Sequence, residues 1–456
     1  MNIKKQTFLL YLYDLLISFR LIDTVWVLFL LDRGYTLAQV GIAEGVFHIT
    51  SMLFEVPSGM FADLFGRKKT LLLSGMAGIL SSFFMALDGW SGWIYFGMIC
   101  SALAFNLASG TQEAIVYDSL LEGKCEDRYK KVWANMSVIG RVAQAAACAA
   151  SPIAIAMGYR YTYLVMGILG CGTVLSAAGM KEPVLNPEKC PESLGIRENE
   201  GGAIEKTTGN VAGRISRSDH RDIKADHRDI KANELWDIIK KVRQHIIDTA
   251  IFIREHPRTM CKLLADAAVA CPCYLLMMYL QNHLVECGWP KAWIGMPILL
   301  IPLAGAIGAW IAAKNKSSLF RAMLVCGIAG GIGTCLAGSK ILLVTLSGAC
   351  IARMCEGFSE ITVSENTNRE FTSEQRATLV SIDSMFYSVL MVVASPLTGV
   401  IGNQYSTSAV FFVLGGTLLG ATVLLGLVFG RNGKKIVDKN IQKHFGWFVK
   451  LQNVTK

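Results

Sequence analysis

Residues 59–69 read Gly59-Met-Phe-Ala62-Asp63-Leu-Phe-Gly66-Arg67-Lys68-Lys69 and lie between two long apolar runs, 39–60 and 70–88. The two glycines allow helix ends to approach closely or the backbone to turn sharply. The Asp63 carboxylate can face a helix N-terminus, and the Arg67 guanidinium offers a rigid fork of several donors. The stretch therefore predicts a short charged turn between two apolar helices.

The chain on either side of this turn is dominated by apolar runs. Of its 456 residues, 52% are hydrophobic and only 17% are charged, against roughly 25% charged in soluble domains. An apolar helix crosses a bilayer in about 20 residues, so we predict an all-α polytopic membrane protein. The first run follows Lys4 and Lys5 with no small-residue cleavage site after it, and we interpret it as a retained span. The predicted spans number twelve: 8–31, 39–60, 70–88, 93–117, 132–157, 159–180, 258–285, 291–313, 319–338, 341–366, 377–401 and 407–430.

Basic residues are distributed unequally between the two sets of loops. The loops on the side of Gly66, together with both termini, hold 35 Lys and Arg, whereas the opposite loops hold four. Because positively charged loops stay in the cytoplasm, both termini are predicted to be cytoplasmic in the cell (plasma or inner) membrane. The excess of basic residues in the predicted cytoplasmic loops thus accounts for the net charge of +9. We therefore expect no nucleic-acid partner.

Composition and an internal repeat divide the chain into two halves. Ser109-Gly110-Thr-Gln-Glu113 aligns with Glu356-Gly357-Phe-Ser-Glu360 at an offset of 247, which is typical of transporters built from two related bundles. The polar segment between the halves carries a tandem duplication at 219–232, followed by an amphipathic helical pattern. The predicted divisions are an N-terminal six-helix bundle at 1–180, a cytoplasmic central loop with an amphipathic helix at 181–257, a C-terminal six-helix bundle at 258–430 and a basic cytoplasmic tail at 431–456.

The charged turn resembles the signature loop of the major facilitator superfamily, in which Gly, a small residue, Asp, Gly, Arg and a further basic residue recur at this spacing. The resemblance implies twelve transmembrane helices in two pseudo-symmetric six-helix bundles around a central cavity. It also implies alternating access and a conformational latch between the charged turn and an acid in span 4. By this correspondence the latch residues are Gly59, Asp63, Gly66, Arg67, Lys68 and Asp118.

Ionisable residues inside apolar spans are costly and indicate function. In span 2, Glu44, His48, Ser51 and Glu55 lie on one helical face. For any one such residue the alternative is an internal ion pair that only locks packing. The predicted substrate and proton cavity contains Arg20, Asp23, His48, Glu113, Arg141, Arg353 and Glu360, with Glu113 as the first candidate proton carrier.

The stretches 55–59 and 110–119 look like those of a bacterial, drug-efflux-like subgroup of the superfamily. We therefore expect a proton-coupled secondary transporter, not an enzyme, that exports small amphipathic organic compounds and acts as a monomer in the lipid bilayer. The alternatives are a proton-coupled importer of a small metabolite and a membrane-embedded enzyme or receptor. No phosphate-cradling Gly-x-x-x-x-Gly-Lys-Ser/Thr loop is present, which excludes an ATP-driven pump within this chain. We expect no cofactor and no metal site, Cys271-Pro272-Cys273 included.

Overall fold

The computed structural model describes residues 2–183, 251–315, 317–370 and 373–432, which form helices joined by turns. The predicted duplication at 219–232, the amphipathic helix after it and residues 433–456 of the basic tail lie outside this part of the chain. Short 3-10 turns cover Glu126–Arg128 and Lys291–Trp293. The helices are α1 (Ile3–Ser18), α2 (Trp26–Asp32), α3 (Leu37–Phe65), α4 (Arg67–Ala86), α5 (Trp93–Ala108), α6 (Thr111–Glu122), α7 (Tyr129–Ala149), α8 (Ser151–Met157), α9 (Tyr159–Gly179), α10 (Pro257–Glu286), α11 (Gly295–Ile298), α12 (Leu300–Ala312), α13 (Leu319–Ala337), α14 (Leu342–Glu370), α15 (Ser373–Gln404) and α16 (Thr407–Asn432).

Within the described residues, ten helical segments are long and apolar enough to cross a membrane, or 11 if α7 and α8 count as one bent span. The chain is thus a multi-pass membrane protein. The predicted count of twelve stays a prediction. The segment missing from the count is the predicted span 8–31, because α1 and α2 are separated by non-helical residues 19–25.

Three predicted spans are interrupted where the sequence suggested continuous helices. The first is broken at residues 19–25. Span 4 is broken at Gly110, whose φ of 70° belongs to the left-handed region. Span 5 bends by 51° between α7 and α8, where Pro152 occupies the start of the second helix and cannot continue the hydrogen-bond ladder. Each break leaves backbone N–H and C=O groups without their helical hydrogen-bond partners. Apolar periodicity alone does not predict where such breaks occur.

Local sequence explains the sharpest turns. Thr36 and Gln39 form a capping box that starts α3, in which Gln39 N donates to Thr36 Oγ1 over 3.2 Å and Thr36 N donates to Gln39 Oε1 over 2.9 Å. Gly66 ends α3 with a φ of 99° and lets α4 begin at the next residue. The predicted turn between two apolar helices is therefore a one-residue reversal.

The helices of each half pack in a recurring order. In the N-terminal half, α4 contacts α5 and α9, and α3 contacts α5. In the C-terminal half, α13 contacts α14 and α16, and α12 contacts α14. The pseudo-symmetry of the halves stays a prediction, although this order is compatible with it.

The two halves meet along a seam formed mainly by α3 and α15. Gly41 and Gly399 let the two backbones touch, since a Cβ on Gly41 would lie 2.2 Å from the Ser395 carbonyl oxygen. We call the end of the bundle that contains residues 33–36, 87–92 and 405–406 the Arg33 end, and the opposite end the Gly66 end. Toward the Arg33 end the seam is also held by an ion pair between Lys291 Nζ and Asp32.

Candidate functional site

The break in the first predicted span places two charged side chains in the space between the halves. Arg20 Nε lies 3.1 Å from Asp23 Oδ1, and the side chains are 43% and 51% exposed. The carbonyl of Asp23 accepts a hydrogen bond of 2.9 Å from Gln281 Nε2 of α10, in the other half. Because both charges keep access to solvent where the two halves meet, they line a polar space there. Two predicted cavity residues, Arg20 and Asp23, are thus brought together.

The wall of this space on the C-terminal side is aromatic. Tyr274 of α10 is 41% exposed and interacts electrostatically with Arg20. Its ring makes an edge contact with the ring of Tyr387 of α15, with centroids 6.4 Å apart. A charged pair from one half therefore faces Tyr274 of the other half, which packs against Tyr387.

Behind these tyrosines lies a buried acid–imidazole pair on α3. Glu44 Oε1 and His48 Nε2 are 3.4 Å apart, and the His48 ring contacts Tyr387 and Tyr274 edge-on at centroid distances of 5.3 Å and 6.3 Å. His48, a predicted cavity residue, is thus covered rather than open to the space. One turn further along, Ser51 Oγ donates to Asn106 Oδ1 over 2.8 Å, which joins α3 to α5.

A second charged cluster lies in the C-terminal half. Arg353 Nη1 pairs with Glu356 on α14, and the Cys273 thiol donates to Glu356 Oε2 over 3.8 Å. Ser359 Oγ donates to Asp266 of α10. Electrostatic interactions connect Asp266 with Glu356, Glu360 and Asp383. Of the predicted residues, Arg353 and Glu360 belong to this cluster.

Sequence reasoning missed three members of that cluster: Asp266, Glu356 and Asp383. The signal was present, since each is an acid inside a predicted apolar span. What the sequence lacked was the packing of α10 against both α14 and α15, which brings acids from three helices together.

Glu113 and Arg141 stand apart from both clusters. Glu113 is exposed at the start of α6, directly after the Gly110 break, and accepts a hydrogen bond of 2.7 Å from the Tyr129 hydroxyl. Burial, together with the adjacent Glu113 carboxylate, raises the pKa of Tyr129, so the hydroxyl keeps its proton and donates. Arg141 is exposed on α7, two turns before Cys148. Cys148 accepts a hydrogen bond of 3.4 Å from Thr24 Oγ1, so Arg141 lies on the helix face that meets the first predicted span.

The residues predicted to form the latch meet at the Gly66 end. Arg67 Nη1 lies 3.1 Å from Asp63 Oδ1, and Arg67 Nε lies 3.0 Å from Asp118 Oδ2. Asp63 is 69% exposed at its side chain, whereas Asp118 is only 12% exposed. Lys68 is half-buried, and nothing lies within 4 Å of a Cβ placed on Gly59. Arg67 is thus the centre of a three-residue contact, whose role as a latch stays a prediction.

A residue that the sequence did not suggest completes this contact. The Glu182 carboxylate accepts hydrogen bonds from the backbone N–H of Arg67 over 2.6 Å and of Lys68 over 2.8 Å. These donors belong to the first turn of α4 and have no partner within the helix. Glu182 therefore caps α4. The sequence did not predict this cap because Glu182 lies far along the chain from the start of α4.

We expect Asp118→Asn to slow transport more than Asp63→Asn, because the Asp118–Arg67 pair is the better shielded from water. Exposed ion pairs contribute about 0.2–1 kcal/mol, so Asp63→Asn should change flux by at most about fivefold. The measurement is initial flux of a fluorescent substrate in membrane vesicles, normalised to inserted protein. Equal flux in the two variants, or a larger loss in Asp63→Asn, would contradict the assignment of Asp118 as the principal partner of Arg67.

Comparisons with known proteins place this geometry in context. The profile of the Major Facilitator Superfamily matches residues 15–365 and 316–452. An uncharacterized MFS-type transporter, YxaM of Bacillus subtilis (strain 168), is 36% identical over 108 residues, which span 24% of this chain and 26% of that relative.

Two solved transporters share the fold at low sequence identity. The nucleoside transporter NupG superposes with a TM-score of 0.63 at 12% identity, covering 95% of this chain and 100% of that one. A POT family transporter in complex with a thioalcohol conjugated peptide superposes with a TM-score of 0.60 at 13% identity, covering 95% and 96%.

Proposed function

The chain belongs to the Major Facilitator Superfamily, and from that premise we propose that it exports small amphipathic organic compounds across the cell membrane in exchange for protons. Family membership makes the chain a secondary transporter rather than an enzyme. Direction, coupling ion and substrate are the proposed parts. Monomeric action in the lipid bilayer belongs to the same proposal.

The observation that carries the proposal is the polar space between the halves. Half-exposed Arg20 and Asp23 line it on one side, and Tyr274 lines it on the other. The aromatic wall suits an apolar ring, and the charges suit a polar group on the same molecule. An amphipathic organic substrate fits this combination.

The acids of the charged cluster in the C-terminal half favour a cationic substrate. Asp266 interacts electrostatically with Glu356, Glu360 and Asp383, and Glu356 pairs with the Arg353 guanidinium. An excess of acids attracts an organic cation and can exchange it for protons, because the two compete for the same carboxylates. We therefore take ethidium, a small amphipathic cation, as the transport probe.

Orientation follows from the positive loops. The loops predicted to lie on the side of Gly66 hold, with the termini, 35 basic residues, and the opposite loops hold four. We propose that the Gly66 end faces the cytoplasm. The contacts described at the Arg33 end, including the Lys291–Asp32 pair, then hold the outer side closed.

Everted membrane vesicles test export against import. If the proposal holds, an inside-acid gradient drives ethidium accumulation in everted vesicles, and dissipating the gradient abolishes it. A proton-coupled importer would instead take up its substrate in right-side-out cells and leave everted vesicles empty. Vesicles without the protein supply the background.

Glu113→Gln should abolish accumulation driven by the pH gradient and leave exchange of internal for external ethidium within about twofold of wild type. Glutamine keeps the hydrogen bond from Tyr129 but cannot ionise, so it removes proton transfer and retains the local structure. The conservative variant Glu113→Asp should keep part of the gradient-driven flux. Full gradient-driven flux in Glu113→Gln would remove Glu113 from the coupling mechanism.

A further inference from the structure

The Glu44–His48 pair leaves polar atoms unpaired in a buried place. The side chains of Glu44 and His48 are 2% and 6% exposed. Among the described residues, neither His48 Nδ1 nor His48 Nε2 has a hydrogen-bond partner. A neutral imidazole carries one donor and one acceptor, and leaving both unpaired away from water is unfavourable. This site therefore favours a state of the pair in which these atoms gain partners.

Groups from both halves surround the pair. From the C-terminal half, Tyr274 and Tyr387 cover the His48 ring, and Tyr279 interacts electrostatically with Glu44. From the N-terminal half, Arg20 and Asp23 interact with Glu44. The pair thus belongs to one half and is covered by the other, which means that separation of the halves at the Arg33 end would uncover it.

The net charge of the Glu44–His48 pair determines which of its protonation states is favoured when the seam is closed. Arg20 and Asp23 neutralise each other, so the local charge depends on Glu44 and His48. With one proton on the pair, either as Glu44 carboxylate with His48 imidazolium or as Glu44 carboxylic acid with neutral His48, its net charge is zero. Without that proton it is −1, and burial of a net charge is costly. In the imidazolium form, His48 Nε2 and the Glu44 carboxylate 3.4 Å away also carry opposite charges, which favours their contact.

We propose that Glu44 and His48 together hold one exchangeable proton, taken from water when the Arg33 end is open and enclosed by Tyr274 and Tyr387 when it is closed. This inference rests on the proposed proton-coupled transport and identifies a proton-binding site for it. The step is simple binding: one proton passes from water to the pair, and no bond between heavy atoms changes.

Proton binding by the pair makes the populations of the closed and open forms depend on pH in a definite direction. Because the closed seam favours the proton-loaded pair, lowering the pH populates the closed form, and raising the pH populates the form that is open at the Arg33 end.

The test measures the distance across the Arg33 end in the purified full-length protein without substrate. Nitroxide labels on unnatural amino acids at Ser91 and Tyr405, one in each half, leave the 13 native cysteines in place. Double electron–electron resonance is recorded from about pH 5.5 to about pH 8.5. We expect the ratio of long to short distances to rise about tenfold in wild type and to change less than about twofold in Glu44→Gln and in His48→Gln.

The chain offers a matched control in another histidine–glutamate pair. His283 is also buried with an unpaired Nδ1, 3.7 Å from Glu286, but its other contacts, such as Ser339, lie in its own half. His283→Gln should keep the wild-type pH response. Three results would each overturn the inference. The first is a wild-type distance that does not change with pH, and the second is an unaltered pH response in both Glu44→Gln and His48→Gln. The third is loss of the pH response in His283→Gln.

Ethidium flux in vesicles tests the proposed function independently of the distance measurement. Flux that does not depend on a pH gradient would refute proton coupling, whatever the distances show. A gradient-driven flux with distances that ignore pH would refute the Glu44–His48 site alone.

Discussion

Gly41→Val is expected to reduce ethidium flux at least about fivefold while the protein remains folded and inserted in the membrane. A Cβ at this position would lie 2.2 Å from the Ser395 carbonyl oxygen and 3.2 Å from the Gly399 Cα, both in the opposite half. Overpacking of this kind costs about 1–3 kcal/mol. The halves can relieve it by separating at the Arg33 end, so the closed form should fall at least about fivefold in population.

The control for Gly41→Val is Gly78→Val. Gly78 lies inside α4, and no atom lies within 4 Å of a Cβ placed there, so this variant carries the same change in helix propensity without the collision. Flux in everted vesicles and the Ser91–Tyr405 distance are measured for both. Gly41→Val with flux near that of Gly78→Val would show that the seam between α3 and α15 need not close during transport.

Arg353→Gln is expected to destabilise the protein and to eliminate gradient-driven flux. Arg353 pairs with Glu356, and Glu356 interacts in turn with Glu360 and Asp266. Loss of one partner from a buried pair costs about 3–5 kcal/mol. Because the Arg353 side chain is 36% exposed, we expect about 1–3 kcal/mol here, after allowing for screening by water.

A double-mutant cycle separates the charge from the packing. Arg353→Gln together with Glu356→Gln removes both members of the pair, so the double variant should be more stable than Arg353→Gln alone. Thermal unfolding of the purified protein gives the stabilities, and vesicle flux gives the activity. If the double variant is less stable than Arg353→Gln, then Arg353 stabilises the protein by packing, for example against Gly305, rather than by charge.

The sequence predicted most of the architecture because apolar length and loop charge are local properties. Gly66 and the residues around it predicted the reversal between α3 and α4 correctly. The breaks at 19–25 and at Gly110 were missed, since the apolar runs continue through them. A helix can break inside such a run only where neighbouring helices supply hydrogen-bond partners for the backbone groups that the break leaves unpaired. Gln281 does this for the Asp23 carbonyl.

The site could be predicted only in part, for a similar reason. Inspection of single spans selects ionisable residues but does not show which face meets which neighbour. Thus Arg20 and Asp23 lie together, whereas Glu113 contacts Tyr129 instead of joining them. Asp266 emerged only from the packing of α10 against α14, which no periodicity within one helix encodes.

The contact between Gly66 and Glu182 also constrains how the two positions can vary in evolution. A Cβ at residue 66 would lie 2.9 Å from the Glu182 carboxylate, and that carboxylate caps the helix that begins at Arg67. A larger side chain at 66 would displace that carboxylate and weaken the cap, and the φ of 99° at this position already favours glycine. Changes at positions 66 and 182 should therefore be linked among descendants of this chain, although the two positions lie 116 apart in the sequence.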